Sequence, residues 1–190
     1  MTEKDVLKLF ETHGALLSGH FKLSSGLHSE KYLQFALVLQ YPDAAENLAK
    51  ALVAKFPKEK VDVVVGPALG GITLAYEVAR AIGCRGIFTE RQEGKMVLRR
   101  GFAVGKGERA LVVEDVVTTG GSTKEVIDVI KASDGIVVGV GSIIDRSGGK
   151  IDFDAPFISL AKINIETFSG AECPLCKKNI PLAKPGSRKR

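Results

Sequence analysis

The most constraining feature of the sequence is an alternation of apolar runs and amphipathic stretches between Val61 and Asp145. The runs are rich in valine and isoleucine, which is typical of strands covered on both faces. The stretches between them carry apolar residues at helical spacing. Strands that alternate with helices predict an α/β fold with a central, mainly parallel sheet flanked by helices. The expected strands are VDVVV (61–65), RGIFTE (85–90), ALVVE (110–114) and IVVGVGSIID (136–145), and the helices are GITLAYEVARAIG (71–83) and STKEVIDVIKASDG (122–135).

The segment before this alternation predicts a smaller unit. Thr2 and Asp5 indicate the start of a first helix, and Pro42 indicates the start of another. Between them, GHFKLSSGLHSEKYLQF has aromatic and aliphatic residues around a Ser-Ser-Gly turn, which predicts a short hairpin. Farther along, the polar, glycine-bearing segment RQEGKMVLRRGFAVGKGER (91–109) predicts a long loop or a mobile hairpin.

Size and composition narrow the class of protein. A length of 190 residues favours a single domain over 1–190. No apolar run approaches the roughly 18 residues of a membrane span, and the charged N-terminus is unlike a signal peptide, so we expect a cytoplasmic protein with no membrane partner. The net charge of +5 suits a polyanionic partner, either a small phosphorylated substrate or nucleic acid, although a merely solvated basic surface stays open.

Two loops share one plan of apolar strand, short loop, Gly-Gly and helix. They are GPALGGI (66–72) and EDVVTTGGST (114–123). If their strands are parallel neighbours, both loops lie at the carboxyl edge of the sheet, where such folds bind ligands. Unpaired amides at a helix start attract an anion, so the second loop predicts a phosphate site. The chain has no Gly-Lys-Ser/Thr and no G-x-G-x-x-G after a strand, which argues against a Walker loop and a dinucleotide site.

Glu114 and Asp115 would repel a bare phosphate. They fit a ligand with hydroxyl groups near its phosphate, such as a ribose 5-phosphate, and they could also serve Mg²⁺. The alternative is that these acidic residues only end a strand. In the first loop, the amides of Ala68 to Gly71 could hold a second anionic group, or could simply form a tight turn.

VVEDVVTTGGST resembles the phosphoribosyl-pyrophosphate signature of the type I phosphoribosyltransferases. Four further segments resemble orotate phosphoribosyltransferases: the hairpin segment, GPALGGI, ERQEGKMVLRRGF and IIDRSGG. The resemblance implies a type I phosphoribosyltransferase-like fold, with an N-terminal hood over about 1–40, a mobile catalytic loop, and a C-terminal tail over about 172–190. It also implies transfer of phosphoribosyl to orotate, Mg²⁺ as cofactor and a homodimer whose loop reaches the partner's site.

The resemblance also assigns site residues. It implies Lys95, Asp115 and Glu114 as catalytic; Glu114, Asp115, Val116, Val117, Thr118, Thr119, Gly120, Gly121 and Ser122 for the ribose 5-phosphate; Ala68, Leu69, Gly70, Gly71, Arg91, Lys95, Arg99 and Arg100 for pyrophosphate; and Ser24, Ser25, Gly26, Thr118 and Arg146 for orotate. No residue is assigned directly to metal, with Mg²⁺ held through substrate and by Asp115 as one option.

The chain departs from the family pattern at four positions. Many members have lysine where this chain has Ser24 and Gly70, and a basic residue and a histidine where it has Gln92 and Val97. Arg99 and Arg100 are the expected compensation. Two alternatives to the orotate enzyme stay open: a purine-type phosphoribosyltransferase, and a nucleic-acid-binding regulator that senses phosphoribosyl pyrophosphate. The absence of a nucleic-acid-binding motif makes the second less favoured.

Cysteines and histidines give weaker signals. Cys173 and Cys176 form CPLC, which is half a zinc site, and no second pair or downstream histidine completes it. An inert pair is favoured, with a metal shared across a dimer and a redox disulfide as alternatives. His13 is expected to end the first helix, and surface or hydrogen-bonded roles are favoured over catalysis for His20 and His28.

Overall fold

The computed structural model describes residues 1–23 and 25–185 of the chain. Two sheets and several helices make up the fold, and a helix long and apolar enough to cross a membrane is not found among the described residues. In chain order the elements are α1 (Glu3–Thr12), β1 (Leu16–Lys22), β2 (His28–Leu33), α2 (Ala36–Leu39), α3 (Pro42–Val53), β3 (Val63–Pro67), α4 (Gly70–Ile82), β4 (Arg85–Gln92), β5 (Lys95–Leu98), β6 (Arg109–Val117), α5 (Gly121–Ala132), β7 (Ile136–Asp145), β8 (Phe157–Lys162) and α6 (Pro174–Lys177).

The larger sheet has six strands in the order β5-β4-β3-β6-β7-β8. Every pairing in it is parallel except that of β4 with β5, which form an antiparallel hairpin at one edge. The expected mainly parallel α/β sheet is therefore confirmed. All of β3 is buried, as its valine run predicts for a strand with helices on both sides.

Two apolar cores lie on opposite faces of this sheet. On one face, α3 and α4 pack through residues such as Leu48, Leu52 and Leu74, and α1 and α2 extend this core. On the other face, α5 packs through Val126 and Ile130. Because helices cover both faces, the ligand-binding positions are left at the carboxyl ends of the strands.

The N-terminal hood is a separate antiparallel pair of β1 and β2, as the hairpin pattern predicts. Segments from the C-terminal part of the chain bind both of its strands through isolated bridges. Ala183 pairs with Phe21 in β1, and Phe168 pairs with His28 in β2. The hood is thus built from both ends of the described chain.

Several details differ from the sequence-based expectations. The strand β3 runs to Pro67, two residues beyond the valine run. The segment 91–109 is not one long loop: it contains the end of β4, the strand β5 and a coil that leads into β6. The strand β8 and the short helices α2 and α6 were not predicted. Half-exposed positions make up much of β8, so its sequence lacks the continuous apolar run of the inner strands. The helix α1 has the expected capping box of Thr2 and Asp5 and ends at His13.

Candidate active site

The strands β3 and β6 are parallel neighbours, with Val65 beside Val112. Their following loops therefore emerge side by side at the carboxyl edge, as predicted. Each loop runs directly into a helix, α4 or α5, whose N-terminus has no side-chain cap. Since no side chain caps these helix starts, a bound ligand can accept hydrogen bonds from backbone N–H groups there, and the helix dipole favours a negative ligand. The fold places two anion-attracting helix ends next to each other.

The loop before α5 depends on Gly120. This residue has φ +72°, and a β carbon there would lie 3.0 Å from Ile151 and from Phe153. Only glycine meets both the left-handed backbone and the close packing without displacement. Thr118 and Thr119 are exposed beside it, so their hydroxyl groups and the neighbouring amides face solvent at the mouth of the loop. The expected ribose 5-phosphate residues Val116 to Ser122 thus run from the end of β6 through this turn into the start of α5.

The two acidic residues of the signature have different surroundings. Glu114 accepts a hydrogen bond from the hydroxyl of Thr123, which is buried in the first turn of α5. Asp115 lies next to Gly70 in the other loop, because a β carbon on Gly70 would be only 2.3 Å from its Oδ2. One carboxylate therefore faces the phosphate loop and the other faces the first loop.

Burial is the main influence on Asp115 and raises the pKa of its carboxyl group to about 6, although hydrogen bonds from backbone amides act in the opposite direction. One of these bonds is donated by the N–H of Val116, at 2.8 Å. A carboxylate held in this way has a favourable interaction to gain from a cation or from hydroxyl donors.

The first loop is shaped by close backbone packing. The peptide bond between Ala68 and Leu69 is cis, and the N–H of Ala68 donates to the carbonyl of Thr89 in β4 at 2.7 Å. A β carbon on Gly71 would lie 2.8 Å from Cδ of Pro67, so this position is restricted to glycine. The side chain of Leu69 is 72% exposed and lies over the start of α4.

Arg146 follows β7 and is only half-buried, yet its Nε is enclosed and has no hydrogen-bond partner among the described residues. Burial lowers the pKa of its guanidinium, and a nearby Tyr32 acts in the opposite direction. Burial raises the pKa of Tyr32, with Asp115 adding to the rise and Arg146 opposing it. Tyr32 of the hood is therefore close to both Asp115 and Arg146.

Tyr32 is a site residue that the sequence reasoning missed. The periodicity of β2 could have indicated that Tyr32 is partly buried beside Leu33, but it could not have indicated which residues Tyr32 faces. Of the residues expected at the hood turn, Ser25 and Gly26 are exposed in a turn closed by the N–H of Leu23 and the carbonyl of Leu27. The prediction for Ser24 lies outside the described residues.

The basic residues of the β4–β5 hairpin have partners within the described chain. Arg91 forms an ion pair with Glu125 of α5, and Arg99 and Arg100 both pair with Glu90, at 3.2 and 3.1 Å. Lys95 is exposed at the start of β5 and has no ion pair in the described part of the chain. The structure therefore joins the two loops, Asp115, Tyr32 and Arg146. It pairs the three arginines of the hairpin with acidic residues outside both loops.

The CPLC pair lies outside this site. Cys173 and Cys176 are both free thiols, and they lie beside His20 and His28 of the hood. The sequence reasoning looked for a second cysteine pair or a downstream histidine, whereas these two histidines precede the cysteines by about 150 residues. Neither histidine is a surface residue, since both are buried.

Comparison with known proteins points to one family. Residues 38–175 match the model of the phosphoribosyl transferase domain. The chain is 57% identical over 189 residues to an orotate phosphoribosyltransferase of Caldanaerobacter subterraneus subsp. tengcongensis, covering 100% of both chains.

Two solved structures show how widely the fold is shared. Orotate phosphoribosyltransferase from Aeropyrum pernix superposes with a TM-score of 0.68 at 24% identity, over 83% of this chain and 93% of that one. Adenine phosphoribosyltransferase from Thermoanaerobacter pseudethanolicus gives a TM-score of 0.60 at 20% identity, over 70% and 88%. Because enzymes for different bases have this fold, the fold alone does not identify the base.

Proposed function

We propose that this chain, which belongs to the phosphoribosyl transferase domain family, transfers the phosphoribosyl group of 5-phospho-α-D-ribose 1-diphosphate to orotate. The products are orotidine 5′-monophosphate and pyrophosphate. The full-length identity of 57% to an orotate enzyme supports the choice of base. The observation that carries the proposal is the arrangement of two uncapped helix starts with Asp115 between them.

This arrangement matches a ribose with anionic groups at both ends. The amides and hydroxyl groups of the turn before α5 would hold the 5′-phosphate, and the amides of Ala68 to Gly71 before α4 would hold the diphosphate. Asp115 lies against Gly70, between the two helix starts, where it can accept hydrogen bonds from the ribose hydroxyl groups. Glu114 would fix the turn through Thr123 and contribute a second acceptor.

Orotate differs from uracil by a carboxylate. Arg146 is the cation best placed to recognise it, because its enclosed Nε lacks a hydrogen-bond partner among the described residues. An arginine can bind a carboxylate through two parallel hydrogen bonds. Tyr32, which is close to Arg146, would cover the base from the hood, and the turn containing Ser25 and Gly26 would contribute contacts from the same direction.

In the reaction, the bond between C1 of the ribose and the diphosphate oxygen breaks, and its electron pair leaves with pyrophosphate. N1 of orotate forms the new bond to C1 and loses its proton to the departing pyrophosphate or to solvent. The ribose becomes oxocarbenium-like between these events. Carboxylates next to the ring stabilise this positive charge, and cations next to the diphosphate stabilise the leaving group. Asp115, whose pKa is raised by burial, could serve as an oxygen ligand for Mg²⁺. The bound metal would supply positive charge to the departing diphosphate.

Lys95 is the catalytic cation we assign to the β4–β5 hairpin. It is exposed and has no ion pair within the described chain, so it can bind a diphosphate without breaking an existing contact. Arg91, Arg99 and Arg100 would first have to leave Glu125 and Glu90. A homodimer in which this hairpin reaches a partner's site is consistent with its position at the sheet edge, and both the dimer and the cytoplasmic location remain predictions.

The direct test follows the ultraviolet absorbance of orotate after addition of 5-phospho-α-D-ribose 1-diphosphate and Mg²⁺. We expect absorbance to fall only when all three are present with the enzyme. Turnover of adenine or hypoxanthine without turnover of orotate would indicate the purine-type alternative. Salt-dependent binding of DNA or RNA, with no transfer to any base, would instead favour the regulator.

A further inference from the structure

A cluster of four potential ligands lies in the hood, away from the site described above. It consists of His20 in β1, His28 in β2, and Cys173 and Cys176 around α6, and one ligand atom from each lies within 4.8 Å of all the others. Cys173 is fully buried, and His20 and His28 are 3% and 7% exposed. Buried polar groups need partners, so this convergence requires an explanation.

Hydrogen bonding alone does not account for the cluster. Nδ1 of His20 lies 2.7 Å from the carbonyl oxygen of Ile180, which can only accept, so this nitrogen carries the proton. Nε2 of a neutral His20 then has one lone pair. Three atoms approach that lone pair: His28 Nδ1 at 3.0 Å, Cys173 Sγ at 3.5 Å and Cys176 Sγ at 3.7 Å. One lone pair accepts one hydrogen bond well, whereas a cation at the centre can bind all four atoms.

The distances agree with a tetrahedral zinc site. Zinc–nitrogen bonds of about 2.05 Å and zinc–sulfur bonds of about 2.3 Å give edges of about 3.4 Å between nitrogens and about 3.6 Å between nitrogen and sulfur. The nitrogen–nitrogen separation is 3.0 Å, and three of the four nitrogen–sulfur separations lie between 3.3 and 3.7 Å. All remaining separations are within 4.8 Å. The bond from His20 to the Ile180 carbonyl is also the outer contact that orients a metal-binding histidine.

We propose that His20 Nε2, His28 Nδ1, Cys173 Sγ and Cys176 Sγ form a structural zinc site that fastens the C-terminal segment to the hood. On binding, the two S–H bonds are replaced by two Zn–S bonds, and two protons pass to the solvent. With all four positions taken by protein ligands, no place remains for a substrate, so the site is structural.

The position of the cluster explains what such a zinc ion would do. The segment from Phe168 to Ala183 is joined to the hood by backbone bonds at each end of the cluster, including Lys22 N–H to Ala183 at 2.8 Å and His28 N–H to Phe168 at 2.8 Å. The hood carries Tyr32, whose ring packs 5.7 Å from Phe21. Zinc would therefore hold the strands that cover the base-binding side of the active site.

A redox pair is the main competing interpretation. The sulfurs of a redox pair need only each other, whereas Cys176 Sγ also lies 3.3 Å from His28 Nδ1 and 3.7 Å from His20 Nε2. A zinc ion accounts for these nitrogen contacts, and a disulfide does not. The two interpretations also differ in the oxidation state expected after isolation in air.

The first experiment measures the metal content of the purified full-length protein by inductively coupled plasma mass spectrometry, and a thiol-alkylation assay is run on the same sample. We expect one zinc per chain and alkylatable cysteines. The double variant Cys173→Ser, Cys176→Ser should contain no zinc, whereas Cys84→Ser, which changes the cysteine outside the cluster, should keep it. Metal-free protein with a Cys173–Cys176 disulfide would overturn the proposal in favour of the redox pair.

A second experiment uses the unchanged chain, because the double variant can fail to fold. After removal of metal with a chelator under reducing conditions, Co²⁺ is added in steps. We expect intense visible bands of tetrahedral cobalt with thiolate charge-transfer absorption, saturating at one equivalent, and zinc should displace them. Stripped protein should also melt at least roughly 5 °C lower. Absence of these bands, or only the weak bands of octahedral cobalt, would overturn the proposal. None of these readouts depends on the orotate assay.

Discussion

Asp115 and Gly70 lie in direct contact across two loops, and a β carbon at position 70 would be 2.3 Å from Asp115 Oδ2. This contact connects the end of β6 with the start of α4. The glycine is therefore what allows the carboxylate to lie between the two helix starts. It also accounts for the absence of a lysine at this position, because any side chain there would displace Asp115.

We expect Gly70→Ala to reduce kcat/KM at least about tenfold, because the carboxylate must move from the ribose position. Steady-state kinetics with both substrates and a thermal melt would check this, with the midpoint expected to change far less than activity. Gly105→Ala is the matched control, since the nearest atom to its new β carbon would be 3.7 Å away on Glu108. Full activity in Gly70→Ala would show that the contact is dispensable.

The raised pKa of Asp115 predicts how stability depends on pH. In the folded protein the group is neutral below about pH 6, whereas in the unfolded chain it ionises near 3.8. Its stabilising contribution is thus present below pH 3.8 and is lost as pH rises through about 6. Asp115→Asn should therefore raise the free energy of unfolding by up to about 3 kcal/mol at pH 8 and by little at pH 4.

Urea unfolding of both proteins at pH 4 and pH 8 measures this difference, and other titrating groups cancel in the comparison. Asp128→Asn, an exposed position on α5, should show no such dependence on pH. Asp115→Asn itself should lose most activity while it gains stability at pH 8, so stability and function change in opposite directions. An equal stability difference at the two pH values would contradict the pKa assignment.

Ionisation of Asp115 also predicts a pH dependence of substrate binding. Only the carboxylate form accepts two hydroxyl hydrogen bonds, so the KM for 5-phospho-α-D-ribose 1-diphosphate should rise as pH falls below about 6. Kinetics between pH 5 and 8 at fixed free Mg²⁺ would check this. A KM that stays constant across this range would show that Asp115 is already ionised or does not contact the ribose.

Arg146→Lys keeps the charge but loses the paired hydrogen bonds, so the KM for orotate should rise at least about tenfold with little change for the phosphoribosyl donor. Arg146→Met should lose orotate binding and leave the free protein as stable or about 1 kcal/mol more stable, because the Nε left without a partner is removed. Steady-state kinetics and urea unfolding separate these effects. An unchanged KM for orotate would exclude Arg146 from carboxylate recognition.

Lys95→Ala should lower kcat by roughly 10²-fold or more, since a cation at the departing diphosphate acts mainly in the transition state. The melting temperature should not change, because Lys95 is exposed and unpaired within the described chain. Lys106→Ala is a control on another exposed lysine, which pairs only with the exposed Asp134. If Lys95→Ala retained full kcat, catalysis would fall to Arg99 or Arg100 after release from Glu90.

The sheet could be predicted because the sequences of β3, β6 and β7 contain continuous apolar runs, and the helices between them have apolar residues at regular helical spacing. The glycine-rich turn before α5 could be predicted because its residues lie within ten consecutive positions, 114–123. Burial on both faces of a strand and the residue preferences of a turn both leave a signal within a short stretch of sequence. The strand β8, which is only partly buried, has no such signature.

The parts that sequence reasoning missed depend on tertiary packing. Tyr32 becomes a site residue only because β2 brings it near Asp115 and Arg146, and nothing in the β2 pattern indicates that position. The four-ligand cluster joins side chains as much as 156 positions apart, such as His20 and Cys176. The ion pairs of Arg99 and Arg100 with Glu90 likewise depend on the register of a hairpin, of which only the glycine-bearing turn is evident in the sequence.

The joining of the hood to the C-terminal segment has a consequence for synthesis of the chain on the ribosome. His20 is bound to Ile180, 160 positions later, so the hood hairpin leaves the exit tunnel long before its partner. At about 5–20 residues per second this delay is roughly 10–30 s. The nascent enzyme therefore passes through a period in which its sheet can fold while the hood still lacks the segment around Ile180 that binds it.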